Sequence, residues 1–116
     1  MATILKMKHT GDYEFAEVEP DEDGGIGLET LQECVGGFIE HVSIPKPGCE
    51  GLDLWLNEEG KLLQLPVNEA ATSLSEIWKH GDFIVGDVAV CASSPEGESV
   101  GLSEAQVVAL RKAIAR

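Results

Sequence analysis

The run LQECVGGFIEHV, residues 31–42, sets two glycines side by side inside an apolar segment. Glycine inside a helix or strand costs roughly 0.5–1 kcal/mol relative to alanine, so the pair should mark a place where the backbone changes state. The hydrophobic period changes across it. Leu28, Leu31 and Val35, with Cys34 beside them, fall at helical spacing, whereas Phe38, Glu40, Val42 and Ile44 alternate with Ile39, His41 and Ser43 at a period of two. A glycine just past a helix closes the last turn in the left-handed conformation without a side-chain clash. Gly36 or Gly37 is therefore expected as a helix C-cap, with the chain turning at once into a strand, 38–44, ended by Pro45 and Pro47.

The same reasoning extends along the chain. Residues 2–8 and 13–19 read as two strands around the turn at Gly11-Asp12, and 20–27 as an acidic, glycine-containing loop. LDLWLNEEGKLLQL reads as a hairpin turning at Asn57-Glu58-Glu59-Gly60, with Leu52, Leu54 and Leu56 on one face and Asp53 and Trp55 on the other. Asn68 is a good N-cap for a helix with Glu69 in its first turn and an apolar stripe of Ala71, Leu74, Ile77 and Trp78, closed by Gly81. FIVGDVAVCA, 83–92, reads as a buried strand in which Gly86 marks a bulge or a close backbone approach. Ser103 and Gln106 form a capping box for a last helix, whose Arg111, Lys112 and Arg116 suit its negative C-terminal end. The expected order is ββαβββαβα: one α+β domain, 1–116, with a mixed, mostly antiparallel sheet.

Charge is the strongest compositional signal. Twenty-one acids against eight Lys and Arg give a net charge of −13. Between Lys8 and Lys46 there is no lysine or arginine, while Asp12, Glu14, Glu17, Glu19, Asp21, Glu22, Asp23, Glu29, Glu33 and Glu40 all fall there. Such a surface repels nucleic acid and anionic membranes and attracts cations or a basic protein groove. Direct nucleic-acid binding is not expected, since the aromatic residues have no basic patch beside them. No apolar run approaches the ~20 residues of a membrane span, and the opening MATILKMKHT lacks the apolar core of a signal peptide. Three cysteines at wide spacing, Cys34, Cys49 and Cys91, fit a reducing cytoplasm better than a disulfide framework.

Catalytic and metal chemistry find little footing. No His or Cys pair has zinc-ligand spacing, and the Asp21-x-Asp23 stretch lacks the further ligands of a twelve-residue calcium loop. There is no G-x-S-x-G, and Cys34 and Cys49 have surroundings that disfavour a thiolate. Gly24-Gly25-Ile26-Gly27 precedes a helix, but its acidic neighbours would repel phosphate. No catalytic residue, metal or cofactor is expected. The residues singled out for binding are Gly36, Gly37, Glu40, Trp55, Asn57, Asn68 and Gly86. Trp55 would be a binding hot spot if exposed and core if a helix covers its face.

Three blocks, LQECVGGFIE, NEEGKLLQLPVNEAA and FIVGDVAV, together resemble the family called domain of unknown function 3846, with its pattern L-Q-x-x-V-G-G-x-I-E, N-E-E-G-K, L-P-x-N-x-A and I-x-G. The residues that carry it run from Leu31 through Gly36, Gly37 and Glu40, then Asn57 to Lys61, Leu65, Pro66, Asn68 and Ala70, to Ile84 and Gly86, within about residues 28–92. The resemblance implies a small non-enzymatic accessory protein of a phage, a plasmid or their host, with no catalytic residues to carry over. The leading expectation is an acidic surface that binds a basic protein, as a DNA mimic would. The alternative is a nucleotide-type ligand sponge using glycine backbone at Gly36, Gly37 and Gly86 with the helix start at Asn68. A small hydrolase has least support. Open sheet edges would allow a homodimer.

Overall fold

The computed structural model describes residues 1–115, so Arg116 and its expected role at the last helix lie outside the described residues. Two strands, β1 (Ala2–Met7) and β2 (Tyr13–Val18), form a hairpin. A short helix, α1 (Leu28–Val35), leads to β3 (Ile39–Ser43) and its antiparallel partner β4 (Leu52–Asn57). Then come α2 (Glu69–Ser75), a 3-10 helix at Ile77–His80, β5 (Val88–Ser93), a two-residue strand β6 (Ser99–Val100) and α3 (Glu104–Ile114). The sheet runs β2-β1-β5-β4-β3, with β6 extending it beside the end of β5. A mixed, mostly antiparallel sheet was expected; the antiparallel character holds, but every pairing between these strands is antiparallel, so the sheet is not mixed among the described residues.

β5 is the central strand, and its composition follows from that. Val88, Val90 and Ala92 face one side with Leu5, Met7, Leu52 and Leu54, where Ala71 and Leu74 of α2 and Leu110 of α3 cover them. Ala89 and Cys91 face the other side with Ile4, where Leu31 of α1, Ile26 and Trp55 cover them. A strand buried on both faces has no polar side to alternate with, which is why VAVCA reads as one apolar run. Each of these large side chains withdrawn from water contributes on the order of 1.5–3 kcal/mol. The product is an α+β sandwich of three layers, α1, sheet, and α2 with α3.

The double glycine is the joint that the period change requires. Gly36 takes φ 80° and its N–H closes the last turn on Gln32 O. Gly37 serves a different purpose, since a Cβ there would stand 2.9 Å from Asn57 Nδ2. One glycine supplies the turn and the other the room for a neighbouring side chain.

Five expectations need correction. Residues 61–65 do not return as a strand. The Asn57–Gly60 turn forms, with Gly60 N–H on Asn57 O and Glu59 N–H on Asn57 Oδ1. However, β4 already has β3 on one side and β5 on the other, so no edge is left for the segment. It coils through further turns, with Gln64 at φ 57° and Leu62 and Leu63 in solvent. Second, the helix from Glu69 does not run to His80; Glu76 breaks it at φ 56°, where its carboxylate meets both Lys46 and Lys79. Third, residues 83–87 are not strand: only Val85 bridges, to Val67, and Gly86 at φ 79° is a close approach in which a Cβ would meet Leu65 Cδ1 at 2.8 Å. Fourth, Leu28, Phe38 and Trp78, placed on apolar faces, are more than half exposed: Leu28 starts α1, Phe38 lies just before β3, and Trp78 falls in the 3-10 helix past the break at Glu76. Fifth, β6, read as loop, forms because its two residues extend the sheet past the end of β1.

Candidate functional site

The seven residues singled out for binding do not meet in one place. Asn57 and Gly37 form a structural joint: Asn57 is 4 % exposed, its Nδ2 donates to Val35 O at 3.2 Å, and its Oδ1 accepts from Glu59 N at 2.8 Å. It therefore satisfies a carbonyl at the end of α1 from the end of β4, which an isolated helix would leave to water. Asn68 is fully buried and fully used. Its Oδ1 caps α2 by accepting from Ala71 N, and its Nδ2 donates to Gly86 O at 2.9 Å and reaches Met7 O at 3.5 Å. Gly86 N–H in turn donates to Pro66 O at 2.7 Å. The blocks that carry the family resemblance thus converge on two joints, and these hydrogen bonds give their residues a structural role.

Gly36 and Gly86 do come together. They line a cavity of about 260 Å³ with His9, Cys34, Leu65 and Asp87 among its walls. His9 Nδ1 lies 3.1 Å from Asp87 Oδ1, and the same carboxylate accepts from His9 N at 2.9 Å. Burial raises the Cys34 thiol above its ordinary pKa, only partly offset by Lys6, so the group stays protonated at neutral pH. Glu33 and Asp87 put carboxylates on the rim.

Trp55 packs beneath α1 with the second core cluster and is half-buried, its ring 4.7 Å from that of His41. It thus stands nearer to core than to a free hot spot. Its indole Nε1–H is buried and lacks an oxygen or nitrogen acceptor, and lies by the Cys91 thiol. His41 Nε2 is 4.0 Å from Asp53 Oδ1, and the other oxygen of Asp53 accepts from Ser93 Oγ. The Ser93 hydroxyl thus donates directly to the Asp53 carboxylate, and no hydrogen bond joins it to His41, so the row lacks the hydroxyl–imidazole contact of a catalytic triad. Nothing in the spacing of His41, Asp53 and Ser93 could have announced this row; it depends on strand register.

Glu40 and Asn57 line a third region, a cavity of about 130 Å³ walled by Val42, Leu56, Ile77 and Ile84 and flanked by the Lys61–Asp82 ion pair. The Lys61 ammonium also sits 4.6 Å from the centroid of the Phe83 ring. Lys61 holds the Asp82 carboxyl below its usual range.

The acids form the most extensive feature. All ten between Lys8 and Lys46 are exposed. Among the described residues, the ion pairs use Asp53, Glu76, Asp82 and Asp87, and none of the ten. Seven fall within residues 12–23: Asp12 just before β2, the rest on β2 and the loop after it, which is itself ordered, since Asp21 N–H donates to Gly25 O and Gly25 N–H to Asp23 Oδ1. The Asp21 carboxylate crowds Gly27 at the start of α1, where a Cβ would lie 2.9 Å from Oδ1, so an acid of the chain itself occupies the position a phosphate would need. No group of three or more His, Cys, Asp and Glu side chains among the described residues could hold a metal, and no helix is long and apolar enough to cross a membrane.

The family model described as Domain of unknown function (DUF3846) matches residues 2–115, and the chain belongs to that family. The match takes in the N-terminal hairpin and the last helix as well as the central blocks. No curated protein and no solved structure matches the chain.

Proposed function

We propose that the chain is a non-enzymatic accessory protein of phage or mobile-element type that binds a basic protein surface through its acidic face, in the manner of a DNA mimic. The observation that carries this reading is the set of ten exposed carboxylates with no ion-pair partner among the described residues. Uncompensated surface charge of one sign destabilises the folded state by self-repulsion and speeds association with a partner of opposite sign. Most of the acids lie on β2 and the ordered loop after it, with Glu29 and Glu33 on α1 and Glu40 on β3, so the charge is presented in a fixed pattern and little ordering entropy opposes binding. Competition tests it. Increasing amounts of the chain should displace duplex DNA from members of a panel of basic DNA-binding proteins, and the displacement should weaken steeply as salt rises. No salt-sensitive complex with any member of the panel would overturn the reading.

The meeting of Gly36 and Gly86 in one cavity favours a second reading, the nucleotide-type sponge. Against it stand Asn68, whose side chain has no free group, and the carboxylates of Glu33 and Asp87, which oppose an anionic phosphate. Thermal-shift screening with linear and cyclic nucleotides separates the two readings, because only a sponge gains stability from them.

A further inference from the structure

The sheet has two edges, and they differ. The β2 edge has acids along it, but the cavity beside it, about 270 Å³, sets Lys6 and Lys8 against Asp12 and Glu14, so its charges balance. β3 pairs only with β4, and its far side is open. Two cavities, about 480 and 130 Å³, lie beside it and share Val42 and Ile77 as walls, so they form one cleft along the strand. The lysines around this cleft are already used: Lys46 and Lys79 on Glu76, Lys61 on Asp82. Glu40 and Glu58 remain, exposed and outside every ion pair of the described residues. Phe38 and Phe83 stand exposed at the end of the cleft that holds these acids.

We propose that the open edge of β3 docks an extended, basic segment of a partner protein as an added strand, with one of its apolar side chains seated between Val42 and Ile77. An unpaired strand offers main-chain groups for pairing, and pockets beside it select alternate side chains. A second copy of the chain is a poor occupant: it brings a further −13 of charge and would set one Glu40 edge against another. The choice of a basic partner rests on the acidic-surface reading above, whereas the choice of edge rests on the cleft.

The test uses a fluorescent eight-residue peptide of alternating valine and lysine, a version with glutamate for lysine, and a version with alternate backbone nitrogens methylated. Anisotropy measures affinity for the full chain, and amide chemical shifts locate the contact. The lysine peptide should bind and move the amides of residues 39–43 and those around Ile77, and the other two should not bind. Val42→Lys should weaken binding at least tenfold. Glu40→Lys, at an exposed position that leaves the core untouched, should weaken it several-fold, which keeps the test valid should Val42→Lys fail to fold. Shifts confined to residues 12–23 would overturn the docking edge and leave the acidic reading standing. Absence of any binding by the lysine peptide at low salt would overturn both. Equal binding by the methylated peptide, or a dimer of the chain that Glu40→Lys abolishes, would overturn strand addition by a basic partner.

Discussion

Asn57→Ala isolates the joint on which the layout turns. The side chain is 4 % exposed and ties Val35 O to Glu59 N through its amide. Val35 is 3 % exposed, so water replaces its lost partner poorly, and an orphaned buried acceptor costs about 1–3 kcal/mol. Glu59 is exposed, and water can take over much of that second bond, leaving a loss of about 0.5–1 kcal/mol. The sum is about 1.5–4 kcal/mol, a fall in Tm of roughly 6–16 °C at about 4 °C per kcal/mol for a chain of this length. Gly37→Ala places a Cβ 2.9 Å from Asn57 Nδ2 and should cost about 1–3 kcal/mol by crowding. In the Asn57→Ala background that amide is gone, so the same change should cost about 1 kcal/mol less or become neutral. Chemical denaturation of the two single variants and the double variant closes the cycle. Costs that add to within about 0.5 kcal/mol, or an Asn57→Ala variant as stable as the parent, would refute the joint.

Two further outcomes follow from the polar groups. Lys79 and Lys46 hold the Glu76 carboxyl down to about 2 from an ordinary value of 4.5. A folded-state pKa below the unfolded one stabilises the fold above the unfolded value, and the gain is lost as pH falls through the folded one. The stability difference between the parent and Glu76→Gln should therefore hold from pH 7 to about 5 and shrink steadily towards pH 2 in thermal melts; a difference independent of pH would contradict the ion-pair assignment. Asn68→Ala should lose about 2–4 kcal/mol, because it removes the α2 cap and leaves Gly86 O without its donor, and hydrogen exchange should rise in α2 and around Gly86 together; fraying of α2 alone would show that Asn68 is only a cap.

The local devices were legible in the sequence. Gly36 as a left-handed cap, Asn68 as an N-cap and the Ser103–Gln106 capping box are interactions within four residues, and short-range chemistry decides them. The Asn57–Gly60 turn was legible too, yet the strand expected after it was not, because the neighbours of β4 are settled by β5, which comes some 30 residues later. The break at Glu76 escaped for a similar reason: Lys46 lies 30 residues away. For the candidate site, charge was plain in the composition, and the exposure of all ten acids agrees with it. What could not be seen was the sorting of the other residues. Asn57 and Asn68 look like binding residues by type and are occupied by carbonyls 22 and 18 residues distant. The cleft beside β3 arises from an edge position that only the sheet order defines.

The acidic face is tested most directly by neutralising it without touching the fold. Glu14→Gln, Glu17→Gln, Glu19→Gln and Glu22→Gln together remove four exposed charges that have no ion-pair partner among the described residues. Affinity for a basic DNA-binding protein should fall at least tenfold at low salt and its salt dependence should flatten, while Tm holds or rises as repulsion is relieved. Unchanged affinity in the neutralised chain would contradict the claim that these carboxylates are the binding surface.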